Sequence, residues 1–293
     1  MNKLNKILVF FVLLSIASID NTYAQAEVSN GYNPLSLRQV HESYLMWKKT
    51  LWRRVDLNEK QNKPFFARNR ELSRIIINAV KEGVLIPYSS DSVNDRNVMS
   101  REDFIDAMKP SEEEEEEEFG DDPFGDDPFG DDTFGDDPFG DDPFGETEIE
   151  GTPEPELIGE REYSVMEIKE DLYFDRIHSR IYFDIQAITL IFPSTSDYNL
   201  GGFEKNLASF RFIDLYNLFK SMPKDAIWYN ENNVAQHKNL GDAFLLRLFK
   251  GVISKYSNAD DSRIIDITGD KARMASSKFE QDLMNWESNL WEY

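Results

Sequence analysis

Apolar residues recur at regular steps along the first part of the chain. Val40, Tyr44, Trp47, Leu51 and Val55 stand four, three, four and four apart, a spacing that predicts one face of a helix. Glu71 to Glu82 repeats the pattern through Leu72, Ile75, Ile76, Ala79 and Val80, with Gly83 where a helix C-cap belongs. Ser100 is placed to cap a short third helix through Ala107, with Asp103 in the box position and Pro110 ending it. Further on the period changes. Tyr163 to Lys169 and Arg180 to Phe192 are rich in Ile, Tyr, Phe and Val and partly alternate, so both read as strands, joined by a hairpin or bulged crossover. Ser209 to Ile213 is a further strand entering a helix at Leu215 to Lys220. Asn239 caps a helix carrying Leu240, Phe244, Leu245, Leu248, Val252 and Ile253. Arg263 to Ile267 reads as a short strand, and Gly269 precedes a last helix with Phe279, Leu283, Trp286 and Leu290.

These elements predict an α+β fold: a mainly helical part over residues 25–110, then a modest antiparallel sheet with packed helices over 161–293. Between them lies a stretch with neither period. Seven consecutive glutamates are followed by five pentads of the type Phe-Gly-Asp-Asp-Pro, the third ending in Thr133. Residues 111–160 hold 23 of the 55 acidic residues and no Lys, Arg or His, so the remaining 32 acids balance the 32 Lys and Arg. The net charge of -23 therefore belongs to this insert alone. One Phe in five cannot bury enough surface to offset the entropy of ordering the chain, and like charges keep it extended. The insert reads as a disordered acidic linker. Two other readings attach to it: loose divalent-ion binding, and docking through the spaced Phe. The EF-hand order of ligands and the glycine-rich calcium nonapeptide are both missing. The flanks lack the basic cluster with interleaved aromatics that nucleic acid requires, which excludes it as a partner.

Lys3 and Lys6 precede an apolar run from Ile7 to Ser18 and a small-residue site at Thr22-Tyr23-Ala24. The pattern is a secretory signal, cleaved after Ala24 to leave Gln25 first. No later run approaches the ~18 apolar residues of a membrane span. The chain has no cysteine, so lipid-modified Cys, disulfides and thiolate metal sites are excluded. The prediction is an exported chain without direct membrane insertion.

Chemistry has few tools here. His41, His178 and His237 are far apart, and the His41-Glu42 start of a zinc-protease helix lacks its second His. Ser221-Met222-Pro223-Lys224 matches a penicillin-recognising motif, but its partner motifs are missing and Pro223 breaks the helix it needs. No catalytic residue, metal or cofactor is predicted. Leu290-Trp291-Glu292-Tyr293 has the aromatic ending of an outer-membrane barrel, yet the chain offers too few alternating strands to close one.

Several blocks resemble one family. Trp52-Arg53-Arg54-Val55-Asp56-Leu57-Asn58-Glu59-Lys60, followed by Asn62-Lys63-Pro64-Phe65-Phe66, resembles the W-R-x-I-D-L-x-E-K-x-N-x-P opening of the gliding-motility GldN family, whose secretion counterpart is PorN. Tyr163 to Asp175 is similar to its Y-x-I-K-E-D-W-F-F-D segment, with Leu172 in place of the Trp, and Ser179 to Ile188 is similar to the strand after it. Phe249 to Asn258 resembles its F-S-S-x-I-x-K-E-S-N block, with Gly251 and Tyr256 departing from it, and Leu290 to Tyr293 its closing L-W-x-aromatic. The resemblance implies a periplasmic component of the type IX secretion system of Bacteroidetes. It implies a ring of copies of itself with a lipoprotein of the GldK or PorK type beneath the outer membrane, and contact with the motor subunit GldM or PorM of the inner membrane. It brings no catalytic residue and no cofactor. The alternative is a stand-alone periplasmic binding protein whose acidic repeat binds calcium.

Large aromatics anchor protein interfaces. Trp52, Phe65, Phe66, Phe174 and Trp291 are the candidates for faces between ring subunits, with ordinary core as the competing reading for each. Lys169, Glu170 and Asp171 form a mixed charged triplet expected at a turn, either pairing between subunits or solvated.

Overall fold

The computed structural model describes residues 31–110 and 157–290, except 197, 200 and 201. The signal segment with Ala24 and Gln25, the insert up to residue 156, and Trp291 lie outside the described residues. The fold is α+β. Its centre is a five-stranded antiparallel sheet in the order β6-β5-β4-β1-β9. The strands are β1 (Leu45–Asp56), β4 (Val165–Asp175), β5 (Arg180–Phe192), β6 (Lys205–Arg211) and β9 (Val252–Tyr256). Two short ribbons stand beside it, β2 (Phe66–Ala67) with β3 (Arg70–Glu71) and β7 (Ile227–Trp228) with β8 (Lys238–Asn239). The helices are α1 (Leu72–Lys81), α2 (Arg101–Ala107), α3 (Phe212–Ser221), α4 (Leu240–Leu245), α5 (Ile264–Thr268) and α6 (Ala272–Leu290).

The N-terminal part thus differs from the expected first helix, because residues 45–56 form a central strand. The reason lies in the spacing itself. Trp47, Leu51 and Val55 are separated by even numbers, so they share one face of a strand as well as one stripe of a helix. Lys49 and Arg53 stand between them on that same face, where their charges conceal the alternation. The Lys49 ammonium lies 4.6 Å from the Phe279 ring centroid and 4.7 Å from that of Tyr256, and Arg53 reaches an ion pair.

Two further elements differ from the sequence reading. The helix capped by Asn239 stops at Leu245, the chain reverses at Arg247 with φ of 53°, and Val252 and Ile253 enter β9 instead. Gly251 makes this route available. A Cβ there would meet the Arg54 carbonyl oxygen at 2.5 Å and the Val55 Cγ2 at 2.6 Å, so only glycine lets the backbone press this close to β1. Residues 264–268 are helical, not extended. The Asp266 carboxylate accepts from the Arg263 backbone N–H at 2.9 Å, which caps the turn.

The other elements follow their sequence signals. Ser100 accepts from the Asp103 backbone N–H at 3.1 Å at the start of α2. Gly83, at φ of 77°, follows α1 and donates to the Val80 carbonyl at 2.9 Å. The β4–β5 connection is a hairpin, braced by the Asp175 carboxylate, which accepts from the Ile177 N–H at 2.8 Å and contacts His178 Nδ1 at 2.5 Å.

One face of the sheet is covered by helices. Over its larger part lies the main core, including Val55, Leu57, Phe65, Leu72 and Phe104 from before the insert and Met166, Ile188, Phe210, Phe212 and Phe244 from after it. The two halves of the chain therefore fold as one body. The insert leaves and re-enters at one place, since the Ile158 N–H donates to the Met108 carbonyl at 3.0 Å. Ile158 is buried, so the folded chain has resumed at Leu157–Glu160, inside the stretch that the sequence assigns to the linker. A smaller core of Leu51, Leu172, Ile253 and Ile264 sits under α6, whose Phe279, Leu283 and Trp286 face the sheet, with the Trp286 ring 4.1 Å from that of Trp47.

Candidate functional site

The charged triplet is in the middle of β4, not at a turn. Antiparallel pairing sets Trp52 opposite Lys169, Leu51 opposite Glu170 and Thr50 opposite Asp171. Alternation along a strand then sends Glu170 to the helix-covered face and Lys169 and Asp171 to the other. The two blocks that most resemble the family are therefore each other's cross-strand neighbours, and the third block joins them through β9, where Lys255 pairs with Trp52.

Glu170 is fully buried at the seam between the larger and smaller cores. Its carboxylate accepts from Arg53 Nε at 3.2 Å and from Arg247 Nη1 and Nη2 at 2.5 and 3.2 Å. Arg53 extends the network by donating to Glu280 Oε1 on α6 at 2.6 Å and to the Gly251 carbonyl at 3.0 Å. One buried acid thus ties β1, β4, the bend after α4 and the last helix together. Taking a carboxylate out of water is costly, and the two guanidiniums that bond to it offset that cost.

On the opposite face, Trp52 is held from three sides. Its Nε1–H donates to Asp91 Oδ2 at 2.7 Å, and the Lys169 and Lys255 ammoniums lie 5.4 and 4.6 Å from its ring centroid. Burial of the Asp91 carboxyl works against its ionisation. The Trp52 N–H and the Lys169 ammonium, 3.3 Å away, outweigh that and hold the group below the usual carboxylate range. Beside this cluster is a polar trough of about 220 Å³, lined by Trp52, Asp91, Glu167, Thr189, Lys255 and Arg263 among others. Asp171 accepts from Thr50 Oγ1 at 2.7 Å and pairs with Lys48 at 2.9 Å.

The other motif residues also act within the chain. Asn62, fully buried, donates from Nδ2 to the Asp56 and Lys250 carbonyls at 2.7 and 2.8 Å and accepts from the Lys250 N–H at 2.8 Å. It clamps the turn after β1 to the strand that leads into β9. Phe65 is fully buried, 5.0 Å from the Phe244 ring. Phe66, Phe174 and Trp52 are each buried to within a tenth of their surface. Within a single chain, four of the five aromatic candidates are thus packed inward, and Trp291 is outside the described residues. Asp91, Arg247 and Glu280 had no sequence signal, since each reaches the site from a loop or helix distant in sequence. Lys255 was visible only as a member of the third block.

Chemically, the site is a set of cross-links. Glu170, Asp171 and Asp91 are each paired with a cation within the chain. Among the described residues no group of His, Asp and Glu is arranged to hold a metal ion, and no helix is long and apolar enough to cross a membrane. No curated protein matches the chain. The blocks that the structure welds together fall within residues 40–292, which match the family model of the gliding motility associated protein GldN, and the chain belongs to this family of gliding-motility and type IX secretion components.

Proposed function

We propose that the protein is a non-enzymatic structural and coupling subunit of the type IX secretion and gliding machinery. Exported to the periplasm, it assembles with copies of itself and a GldK- or PorK-type lipoprotein into a ring under the outer membrane, and it contacts a GldM- or PorM-type motor subunit. The observation that supports this reading is how the motif blocks are used. Trp52, Arg53 and Asn62 from the first block, Lys169 and Glu170 from the second and Lys255 from the third bind one another. They stiffen one sheet, as befits a part that transmits force. Ring subunits bury two different faces, a heterologous arrangement that closes when the rotation does.

A pull-down of the tagged mature chain from solubilised envelopes, followed by electron microscopy, tests the proposal. The expected result is an annular particle containing a lipoprotein. A chain that stays monomeric beside its lipidated counterpart, or that turns over a small molecule, refutes it.

A further inference from the structure

Two acids face each other within the sheet. Antiparallel pairing sets Asp171 of β4 directly opposite Asp184 of β5, and both are buried on the face without helices. Like charges in that relation repel unless one of them is neutralised. Asp171 has its cation, since Lys48 pairs with it at 2.9 Å and Thr50 donates to it at 2.7 Å. Asp184 has none: among the described residues no Lys, Arg or His stands within ion-pair distance of it. A cavity of about 30 Å³ adjoins the pair. The titratable groups that line it beside Asp184 are Asp171 and Tyr173 from β4, Lys48 from β1 and Arg38 from the chain before β1. None cancels the charge. Lys48 is taken by Asp171, and the Tyr173 hydroxyl is buried without a hydrogen-bond partner in the chain. The Arg38 guanidinium stacks on Tyr182, 4.0 Å from the ring centroid.

Asp184 is covered by a strap running from Gly31 to His41. A bridge between Tyr32 and His41, and the Glu42 N–H donating to the Gly31 carbonyl at 2.7 Å, close the strap at its base. Its apolar anchors are Leu35 and Leu37, both only partly buried. The other contacts are polar and lead to the acid. Asn33 Nδ2 donates to Gln186 Oε1 at 2.8 Å, and Gln186 Nε2 donates in turn to Asp184 Oδ2 at 2.8 Å. Ser36, itself buried, lies against the same carboxyl. A segment with so few apolar contacts opens at lower cost than the sheet beneath it, and opening returns Asp184 to water.

We propose that a proton on Asp184 latches this strap. With the acid neutral the strap lies closed; with the acid ionised it lifts and uncovers the cross-strand row of Lys48, Tyr173 and Tyr182. Burial, helped by the facing Asp171, pushes the Asp184 carboxyl up to about 6 against the opposing contacts of Ser36, Gln186 and Arg38. Lifting the strap returns it to the ordinary carboxylate value of about 4. Closure therefore has its full advantage below about pH 4 and loses it as pH rises through 6. His41 cannot imitate this effect. Its Nδ1 accepts from the Ser43 N–H at 3.1 Å, so a second proton on that ring would loosen the strap in acid.

Hydrogen exchange of the full mature chain, corrected for the intrinsic rate at each pH, tests the latch. The Leu35, Ser36 and Arg38 amides donate within the strap. Their protection should be on the order of tenfold greater at pH 5 than at pH 8, the ratio that a rise from about 4 to 6 produces. Asp184→Asn keeps an acceptor for Gln186 but cannot ionise, so its protection should be as high at pH 8 as at pH 5. Equal protection at the two pH values in the unaltered chain, or a pH dependence that survives Asp184→Asn, overturns the proposal. The readout comes from the strap alone and needs no assembly, so either result leaves the ring reading as it stands.

Discussion

Replacing Glu170 with Ala should be among the most costly single changes in this protein. At an effective dielectric near 20, opposite charges about 4 Å apart attract by about 4 kcal/mol. Glu170 has two such partners, Arg53 and Arg247, at hydrogen-bonding distance. That attraction offsets the several kcal/mol needed to bring the carboxylate out of water. Removing the acid leaves both guanidiniums near an apolar seam, Arg53 with only an eighth of its side chain exposed. The expected loss is about 3–5 kcal/mol of a total stability on the order of 5–15 kcal/mol. Arg247→Ala should cost less, because that side chain is partly exposed and Arg53 still serves the carboxylate. Urea unfolding of the mature chain measures both changes and the double variant. A cycle with a coupling of about 0.5–3 kcal/mol is expected. If Glu170→Ala costs under about 1 kcal/mol, or the two changes simply add, the seam is not held by this network.

Three other outcomes follow from the packing. The Phe244 ring stands 5.0–6.3 Å from those of Phe65, Phe212, Phe219 and Phe249, so Phe244→Ala should cost about 3–5 kcal/mol in the same assay. Gly251→Ala forces β9 away from β1 and should lose about 1–3 kcal/mol, with faster hydrogen exchange over Val252–Tyr256. Burial pushes the Asp184 carboxyl up to about 6, and the hydrogen bond from Gln186 only partly opposes it. The folded state therefore holds the extra proton between about pH 4 and 6, and Asp184 counts against stability above that window by about 2–3 kcal/mol at most. Asp184→Asn should stabilise the chain at pH 7.5, with the gain shrinking as pH falls to 5 and below. A gain that does not depend on pH would show that charge burial is not its source.

The contrast between α1 and β1 shows what the sequence could reveal. In α1 every buried position but Ser73 is apolar and the exposed ones are not, and Gly83 supplies an explicit stop. In β1 the inward face includes Lys49 and Arg53, whose roles depend on Phe279, Glu170 and Glu280 far along the chain. No local pattern can distinguish an inward arginine with a distant partner from an outward one. The same blindness placed Lys169, Glu170 and Asp171 at a turn, since three consecutive charges rarely occupy the centre of a sheet. The family blocks were legible as a resemblance but not as a site. Their meeting requires β1 to lie between β4 and β9, a topology that joins residues on both sides of the insert.

That topology also separates the insert from the stability of the fold. Met108 and Ile158 are joined by a backbone hydrogen bond, and both side chains belong to the main core. The 46 residues between Pro110 and Leu157 therefore close a loop whose ends are held by the folded body. Closing entropy grows only with the logarithm of length, so doubling the number of residues in the loop would cost about 0.6 kcal/mol. Pentads can be added or lost at almost no cost to the body, and their number is free to follow some demand other than folding. The folded flanks are near neutral while the pentads and glutamates hold the excess negative charge.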